Sequence, residues 1–536
     1  MKYIIKLFPE MIVKSKTVRQ RMTKVLQSNI RNVFTRRGII CHVRIEWDKL
    51  VVRVDPVENP NLPTVDEVTK ILTEIPGIQT VLSVEEYNYT DLHDIYEKTA
   101  AIYGHQLVGK TFCVRVKRKG KQEFTSIEVE RYVGGGLNQN FPSGGVRLTH
   151  PDMTIQLEID DEKLYLITKI STGLGGYPLS TQEDVISLIS GGFDSGVSSY
   201  DFIKRGCRVH YLFFNMGGNA HEIGVKQESF YLWERFGSSH KVRFITVPFE
   251  KIIGEILTKT DHSIRGVVLK RMMMRVAAQI ADKMKVEALV TGESLGQVSS
   301  QTLTNLSVID RVTSKLVLRP LICSDKQDII DCARKIGTAH FAESMPEYCG
   351  VISDRPTVKA NPAFVDEQEA LMDMSLVEDA VASSKWMDIR EVPNDTKKTI
   401  GEVEVTAFAG LNEVVVDIRA QDEIDKHPLK DLERDHLEIP FFKIATEFPK
   451  LDRLKTYLLY CDQGVMSKMQ AMYLKDQGYQ NVKVYRPEVG GCAVCRANAE
   501  SEEATNSSVA KAESSKILFG DIDVKHIKFQ PLINMV

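Results

Sequence analysis

The chain has 536 residues, more than one hydrophobic core usually organises, which predicts roughly three to five domains. Hydrophobic residues make up 43% and charged residues 26% of it, and no apolar run approaches the roughly 20 residues that span a bilayer, which excludes a membrane-spanning protein. The nine scattered cysteines exclude the dense disulfide framework of a small secreted domain, and the net charge of -3 hides an uneven distribution along the chain.

The start of the chain combines a short apolar run with a basic surplus. MKYIIKLFPE is interrupted by Lys6 and Pro9 and is therefore not a signal peptide, which predicts a cytoplasmic protein with no membrane partner. Residues 1–50 contain 12 Lys and Arg against 3 Asp and Glu, whereas residues 361–420 contain 5 against 13. The basic end is compatible with an anionic partner and also with a solvated helix face, because charge governs association rather than fold.

The first 90 residues alternate strand and helix patterns. YIIKLFP precedes an amphipathic stretch from Thr17 to Phe34, which is followed by the strand-like runs CHVRIEW and LVVRV. A second helix pattern covers Val65 to Glu74, and TVLSVEE is a final strand. This β-α-β-β-α-β order predicts a small α+β domain of the ferredoxin-like type.

The next segment carries a basic stripe. We expect a helix from Asp91 to Gln106, a strand TFCVRVKR, a helix from Ser126 to Asn138 that Gly134 to Gly136 interrupt, and the strand pair MTIQLEI and KLYLITK. The strand period places three basic side chains on one face, where they suit RNA phosphates: Arg115, Lys117 and Lys119. An edge strand that lysines protect from pairing is an alternative interpretation.

From about Thr181 the strands alternate with longer helices, which predicts a parallel sheet covered on both faces, with ligands at the carboxyl ends of its strands. The acidic stretch from Leu376 to Asp395 shows no periodicity and is interpreted as a linker. A final compact α/β unit contains VVVDIR, YLLYC, a helix from Ser467 to Gln477, and VKVYR. The polar tail that follows is predicted to be partly disordered.

The run SGGFDS, from Ser190 to Ser195, lies between the strand VISLI and a helix start. Gly191 and Gly192 remove side chains where backbone N–H groups must approach phosphate, the serines can donate hydrogen bonds, and Asp194 can help to hold a magnesium ion. The Lys-Ser/Thr ending of a Walker A loop is missing, which disfavours a kinase or a GTPase. A glycine turn that only permits tight packing is the alternative.

Several long passages make the chain resemble the tRNA 4-thiouridine sulfurtransferases: IIKLFPE, CVRVKRKGK, ERYVGGGLNQ, SLISGGFDSGVSSY, LKRMMMR, TGESLGQVSSQTLTNL, RPLICSDK, MPEYCGVIS and YCDQGVMSKMQAMYL. The resemblance runs from Met1 to about Pro487. It implies a multidomain α/β and α+β protein whose expected domains are ferredoxin-like (1–65), THUMP RNA-binding (66–170), PP-loop ATP pyrophosphatase (171–395) and rhodanese (409–487), before a C-terminal extension (488–536).

The same resemblance implies the residues of the nucleotide site. Lys326 in RPLICSDK matches a lysine that the family uses in activation, and with Asp194 it is expected to be catalytic. Such a lysine would bring to the phosphates the positive charge that a Walker lysine brings elsewhere. The expected ATP-binding set is Leu188, Ile189, Ser190, Gly191, Gly192, Asp194, Ser195, Lys270, Gly292 and Gln301.

Cys461 ends the strand YLLYC and precedes a loop and the helix that begins near Ser467. Loop N–H groups and a helix N-terminus stabilise a thiolate or a persulfide anion, as in a rhodanese cradle. A structural cysteine at a strand end is the alternative. By resemblance, Cys349 in PEYCGV is a redox partner that forms a disulfide with Cys461.

The resemblance implies that ATP adenylates a uridine of tRNA and that a Cys461 persulfide, charged by a cysteine desulfurase, supplies the sulfur. Direct release of sulfide by Cys349 is left open. A second implied role is sulfur transfer to a sulfur-carrier protein for the thiazole of thiamine, and a homodimer is compatible with the family. The alternatives are an ATP pyrophosphatase that acts on a small molecule and a non-catalytic RNA-binding or sulfur-relay protein.

The extension departs from the family, whose pattern commonly stops near VKVYRP. Cys492 and Cys495 form a single C-x-x-C pair, and one pair without further ligands is weak support for zinc. Chance spacing or an exposed redox pair is the preferred interpretation. No metal ligand is assigned.

Overall fold

The computed structural model describes residues 1–46, 49–59, 63–216, 218–345, 355–400, 403–410, 412–419, 424, 429, 436–440, 443–444, 447–461 and 465–486. The chain divides into two compact units, the first from Met1 to Arg390 and the second starting at Glu391. No helix among the described residues is long and apolar enough to cross a membrane.

A mixed sheet of seven strands forms the first part of unit 1, and its strand order is β2-β3-β1-β4-β7-β6-β5. All neighbours are antiparallel except β5 and β6. The elements are β1 (Lys2–Leu7), α1 (Pro9–Ile12), α2 (Lys16–Arg36), β2 (His42–Glu46), β3 (Lys49–Arg53), α3 (Val65–Thr73), β4 (Ile78–Asn88), α4 (Leu92–Tyr103), a 3-10 helix (Gly104–Leu107), β5 (Phe112–Lys119), α5 (Ser126–Asn140), β6 (Met153–Asp160) and β7 (Lys163–Thr172).

Strand β4 joins the two halves of this sheet. It pairs with β1 on one side and with β7 on the other, so the backbone ladder runs without a break from the first predicted domain into the second. Apolar residues of α2 and α3 cover one half, with Leu26, Phe34 and Leu72 fully buried. A second core under α4 and α5 covers the other half.

Helix α5 runs unbroken from Ser126 to Asn140, so the predicted interruption at its glycines is wrong. A capping box between Thr125 and Glu128 starts the helix, because each residue satisfies a backbone N–H of the other. The glycines instead allow close packing: a Cβ on Gly136 would lie 2.6 Å from the Tyr96 ring. Helix packing therefore outweighs the low helix propensity of glycine here.

The second part of unit 1 is a six-stranded sheet of order β12-β11-β8-β9-β10-β13 in which all neighbours are parallel except β10 and β13. Its elements are β8 (Val185–Leu188), α6 (Phe193–Lys204), β9 (Val209–Asn215), α7 (Gly218–Leu232), a π-helical turn (Trp233–Gly237), β10 (Arg243–Pro248), α8 (Glu250–Lys259), α9 (Arg265–Met284), β11 (Ala288–Val290), a 3-10 helix (Ser299–Gln301), α10 (Leu303–Asp310), β12 (Leu316–Leu318), α11 (Lys326–Ile336), α12 (Ala339–Ser344), α13 (Pro362–Glu369), α14 (Ser375–Ala382) and β13 (Lys385–Asp388).

The stretch interpreted as a linker is structured, so that interpretation is wrong. It contains α14, β13 and the start of helix α15 (Val392–Ile400). Strand β13 extends the sheet by pairing antiparallel with β10, and α14 buries Val377 and Val381 in the core. Glu378 and Asp379 lie on the exposed face of α14, opposite the buried valines. The acidic composition of the stretch therefore conceals an amphipathic helix.

Unit 2 contains a five-stranded, fully parallel sheet of order β14-β18-β17-β15-β16. Its described elements are α15, β14 (Val405–Thr406), β15 (Glu413–Asp417), β16 (Leu437–Glu438), a 3-10 helix (Phe448–Lys450), β17 (Thr456–Tyr460), α16 (Val465–Asp476) and β18 (Val482–Tyr485). The central strands are apolar and buried, as both-face coverage requires.

Candidate active site

The glycine-rich loop from Ser190 to Ser195 follows β8, the strand at which the chain order of the second sheet reverses. The chain passes from β8 to β9 on one side and later to β11 on the other. Such a switch point opens a crevice at the carboxyl ends of the strands, where ligands of parallel sheets bind. The loop leads directly into α6, whose free N–H groups favour an anion.

The loop is closed by its own hydroxyl groups. The Ser190 backbone N–H donates to Ser195 Oγ at 3.2 Å, and the Ser195 hydroxyl donates to the Gly192 carbonyl at 3.1 Å. Gly191 has φ of +87°, and a Cβ there would overlap the Met345 thioether. Glycine is therefore required at this position by backbone conformation and by space.

Gly292 brings a second chain segment against the loop. It follows β11, and a Cβ on it would lie 2.6 Å from the carbonyl carbon of Asp194 and 2.8 Å from the Ser195 nitrogen. The residues after β11 can therefore line the crevice opposite β9. Gln301 lies at the end of this segment, and its buried Oε1 has no hydrogen-bond partner within the described part of the chain.

Asp194 and Lys326 form an ion pair at the mouth of the crevice. The Lys326 ammonium lies 2.9 Å from both carboxylate oxygens of Asp194, and Gln297 Nε2 donates to Asp194 Oδ2 at 3.1 Å. Lys326 is the first residue of α11, and its side chain is 44% exposed. Lys326, which the family resemblance implies is catalytic, is thus held beside the loop and remains accessible to a ligand.

Lys270 is held by a buried carboxylate. Its ammonium donates to Glu293 Oε1 at 2.6 Å, and the Arg319 Nε donates to Glu293 Oε2 at 2.7 Å. Burial alone would raise the pKa of Glu293, but the Lys270 and Arg319 charges outweigh it and lower that pKa. Glu293 therefore stays ionised and ties Lys270 of α9 to the end of β11.

The structure brings the predicted nucleotide residues to one edge of the second sheet. Leu188 ends β8 and Ile189 follows it, and the Ile189 N–H donates to the Leu212 carbonyl at 2.9 Å. Sequence reasoning did not single out Glu293 and Gln297, although both lie in the passage TGESLGQ between residues it did name. No cluster of three or more metal-ligating side chains occurs among the described residues.

Glu228 of α7 is a buried acid that packs against α6, the helix that follows the glycine-rich loop. A Cβ on Gly196 of α6 would overlap its carboxyl group, and neither carboxyl oxygen has a hydrogen-bond partner in the described chain. Burial raises the pKa of Glu228 to about 8. The carboxyl is therefore protonated at neutral pH, and the buried region beside the loop carries no negative charge from it.

Replacement of Glu228 by glutamine is expected to stabilise the protein at pH 8 and above. Between the ordinary glutamate pKa and about 8, the folded state holds a proton that the unfolded state has released, so stability falls as pH rises through this window. The free energy of unfolding falls by up to roughly 5 kcal/mol across this pH window. Melting temperatures from pH 5 to 8.5 should fall less in Glu228→Gln than in wild type or in the exposed-site control Glu378→Gln, and parallel curves would contradict the assignment.

The candidate sulfur site lies in unit 2. The Ser467 N–H in the first turn of α16 donates to Cys461 Sγ at 3.2 Å, and Cys461 follows directly after β17. Cys461 is half-buried, and it forms no disulfide with another described cysteine. The side chain of the neighbouring Tyr460 lies under the Arg419 guanidinium, 5.0 Å from it, and Arg419 is paired with buried Asp417. Cys349, Cys492 and Cys495 lie outside the described residues.

The basic stripe lies on β5, at the edge of the first sheet. Arg115, Lys117 and Lys119 are exposed on the face opposite the helices, in register with Gln156, Glu158 and Asp160 of β6. Its charge is partly balanced, because Arg115 lies 3.8 Å from Glu130 and Lys119 lies 3.8 Å from Asp160. An open pocket beside the stripe contains aromatic and basic side chains together with acidic ones; its lining includes Tyr89, Lys121, Phe124, Arg131, Glu123 and Asp161.

The self-closed glycine loop at the switch point of a parallel sheet, with Lys326 beside it, is typical of a nucleotide-binding protein. Residues 180–374 match the family described as thiamine biosynthesis protein (ThiI), and residues 89–169 match the THUMP domain. The tRNA sulfurtransferase of Tolumonas auensis is 62% identical over 488 residues, covering 91% of this chain and 100% of that protein. The tRNA sulfurtransferase of Aeromonas hydrophila is 58% identical over 487 residues, with the same coverage.

A solved structure agrees with these sequence comparisons. A complex of a 4-thiouridine synthetase with RNA and bound ATP aligns with a TM-score of 0.64 at 26% identity, covering 72% of this chain and 99% of that one. The predicted resemblance is confirmed. The chain belongs to the tRNA sulfurtransferase family.

Proposed function

We propose that this protein uses ATP to adenylate a uridine of tRNA and then replaces the activated oxygen with sulfur to give 4-thiouridine. The observation that carries the proposal is the crevice at β8, where the closed glycine loop meets Asp194, Lys326 and the unpartnered Gln301 Oε1. A buried acceptor without a partner is costly unless a ligand or water satisfies it. Family membership supplies the RNA substrate.

In the first step the uridine O4 attacks the α-phosphorus of ATP and pyrophosphate leaves. The loop N–H groups and the N-terminus of α6 would hold the departing pyrophosphate, and Lys270 and Lys326 would balance its charge. Asp194 fits a magnesium ion shared with the phosphates, because one carboxylate with substrate oxygens is a common ligand set for it. When bound, that ion would neutralise phosphate charge. Lys326 must then exchange its contact with Asp194 for one with the nucleotide.

In the second step sulfur is transferred from Cys461. A cysteine desulfurase would leave a persulfide there, and its terminal sulfur attacks the uridine C4 so that AMP departs. The Ser467 N–H 3.2 Å from Sγ supports this role, since it would stabilise negative charge on a thiolate. In the persulfide, the sulfur that is transferred is bonded to Sγ and lies one atom further from the Cys461 backbone than Sγ does.

Cys349 would complete the transfer. Its thiolate attacks Cys461 Sγ, the bond to the transferred sulfur breaks with its electron pair moving to that sulfur, and a Cys349–Cys461 disulfide forms. A reductant must then reopen the disulfide. Mass spectrometry of unreduced protein after one turnover should detect the linked peptides, and sulfide release without them would favour the alternative donor.

We infer that the first sheet presents the RNA. The order β2-β3-β1-β4 with α2 and α3 on one face supports a ferredoxin-like domain, and the continuous ladder to β7 supports one platform with the THUMP region. The basic stripe suits a phosphate backbone, and the aromatic side chains of the neighbouring pocket, Tyr89 and Phe124 among them, suit unpaired bases. The parallel sheet of unit 2 supports a rhodanese-like domain for the sulfur step.

Charge reversal of the stripe in the triple variant Arg115→Glu, Lys117→Glu and Lys119→Glu is expected to weaken tRNA binding strongly. A second variant replaces the same three residues by alanine. If each of them contacts one phosphate, the slope of log K for tRNA binding against log salt concentration should become less steep by roughly 2 to 3. A matched control replaces three exposed helix lysines elsewhere in unit 1, Lys251, Lys259 and Lys283. Unchanged affinity and salt slope would leave the stripe as an edge strand protected by charge.

A second role is sulfur transfer to a sulfur-carrier protein for thiazole synthesis, supported by the thiamine-biosynthesis family to which residues 180–374 belong. The competing function is ATP cleavage on a small molecule. Labelled ATP distinguishes it: AMP and pyrophosphate should form only when unmodified tRNA is present. Formation at the same rate without tRNA would favour the small-molecule function.

A further inference from the structure

One face of α7 packs against the glycine-rich loop and the start of α6. His221, Val225 and Glu228 are spaced by four and three residues, which places them on one side of a helix. All three are buried. They approach, in order, Ser190, Gly191 and Gly196, so the loop and the start of α6 rest on a single helical surface.

His221 fixes the first peptide plane of the loop. Its Nε2 lies 2.9 Å from the Ser190 carbonyl oxygen, and since a carbonyl only accepts, Nε2 carries the proton and donates. Burial lowers the pKa of His221, so the ring is neutral and keeps this donor near neutral pH. The ring is also held edge-on against Phe213 with centroids 4.8 Å apart.

Fixing the Ser190 carbonyl also fixes the Gly191 N–H. In a trans peptide the C=O of one residue and the N–H of the next point in opposite directions. With the Ser190 oxygen held toward α7, the Gly191 N–H points away from that helix. Gly191 has φ of +87° and its Cα faces Val225 and Met345, so alternative orientations of this peptide are restricted by space.

We propose that His221 is a positioning residue of the adenylation site, which holds the Ser190–Gly191 peptide so that the Gly191 N–H is available to the pyrophosphate part of ATP. Val225 limits the room for the loop to turn over, with its Cγ2 3.1 Å from a Cβ position on Gly191. Glu228 packs against Gly196 in the first turns of α6. The inference rests on the proposed ATP-dependent function and adds a residue outside the nucleotide set predicted from sequence.

The ligand itself distinguishes a positioning role from a purely structural one. AMP lacks the β- and γ-phosphates that the loop would hold, whereas ATP carries them. Losing the His221 hydrogen bond should therefore weaken ATP binding and leave AMP binding unchanged. A general loss of packing would weaken both nucleotides and lower the melting temperature in parallel.

The experiment measures ATP and AMP affinity without tRNA by calorimetry, and AMP formation with tRNA, on the full chain. His221→Leu should weaken ATP about tenfold, the value of one hydrogen bond to a charged group, with AMP affinity unchanged. His221→Gln, long enough to donate to Ser190, should recover most of it, and His221→Asn, which is shorter, should not. His240→Leu is the control, because that half-buried ring contacts Ser239 rather than the loop among the described residues.

Equal ATP affinity in wild type and in both His221→Leu and His221→Asn would overturn the inference while leaving the proposed function intact. An equal loss of ATP and AMP affinity would also overturn it. If His221→Leu does not fold, the Gln and Asn variants decide the result, since both retain a polar amide. Failure of wild-type protein to bind ATP or to form AMP with tRNA would instead contradict the proposed function.

Discussion

Replacement of Cys461 by serine is expected to abolish 4-thiouridine formation while leaving ATP cleavage in the presence of tRNA. The hydroxyl cannot carry a persulfide, so adenylated tRNA forms but receives no sulfur. Pyrophosphate should then appear as a burst that does not exceed the tRNA supplied, unless water slowly hydrolyses the adenylate. Pyrophosphate-release and nucleoside mass-spectrometry measurements on the same reaction separate the two steps.

The exposed free thiol Cys323 provides the matched control. Cys323→Ser should thiolate tRNA normally, because that residue has no part in the sulfur chain. Cells whose only copy carries Cys461→Ser are expected to require added thiazole. Continued thiolation by Cys461→Ser would remove this cysteine from the mechanism, and growth without thiazole would remove it from the second role.

Replacement of Lys326 by alanine is expected to reduce AMP formation by a factor of roughly 100 to 1,000, the usual cost of losing a charged group that stabilises a transition state. The ammonium lies 2.9 Å from both Asp194 oxygens at the mouth of the crevice and is 44% exposed, so it can reach bound nucleotide. The loss should fall mainly on kcat, with a smaller change in KM for ATP.

Lys335, exposed in the last turn of the same helix, is the control for this variant. Lys335→Ala should keep wild-type rates. Because Lys326 and Asp194 are in direct contact, the effects of Lys326→Ala and Asp194→Asn should be non-additive in a double-mutant cycle. Full activity of Lys326→Ala, or strict additivity of the two changes, would contradict the assigned pairing.

Much of the architecture follows from the sequence pattern because its strands are strongly apolar. The predicted strands and helices through VKVYR coincide in type with those observed, including α2, whose predicted start at Thr17 lies one residue from its first residue. The loop SGGFDS was predictable for the same reason: a buried strand, two glycines and a helix start leave few alternatives. The nucleotide residues outside the loop came from family resemblance rather than from spacing.

Other features depend on contacts that no local pattern records. Strand β13 exists because the exposed edge of β10 accepts it, and α5 stays continuous because Gly136 packs against Tyr96. The role of Glu293 in holding Lys270 can be recognised only in the folded chain, where Lys270 and Arg319 both contact its carboxylate. His221 has no motif, and its role depends on a hydrogen bond to a carbonyl 31 residues away.

The most direct test of the account is sulfur transfer to unmodified tRNA with purified protein, a cysteine desulfurase, cysteine and a reductant, with and without ATP. Nucleoside mass spectrometry should find 4-thiouridine only with ATP, and at least one AMP should form for each thiolated base. Thiolation without ATP, or ATP cleavage that tRNA does not stimulate, would contradict adenylation of the RNA base as the step performed at the glycine-rich loop.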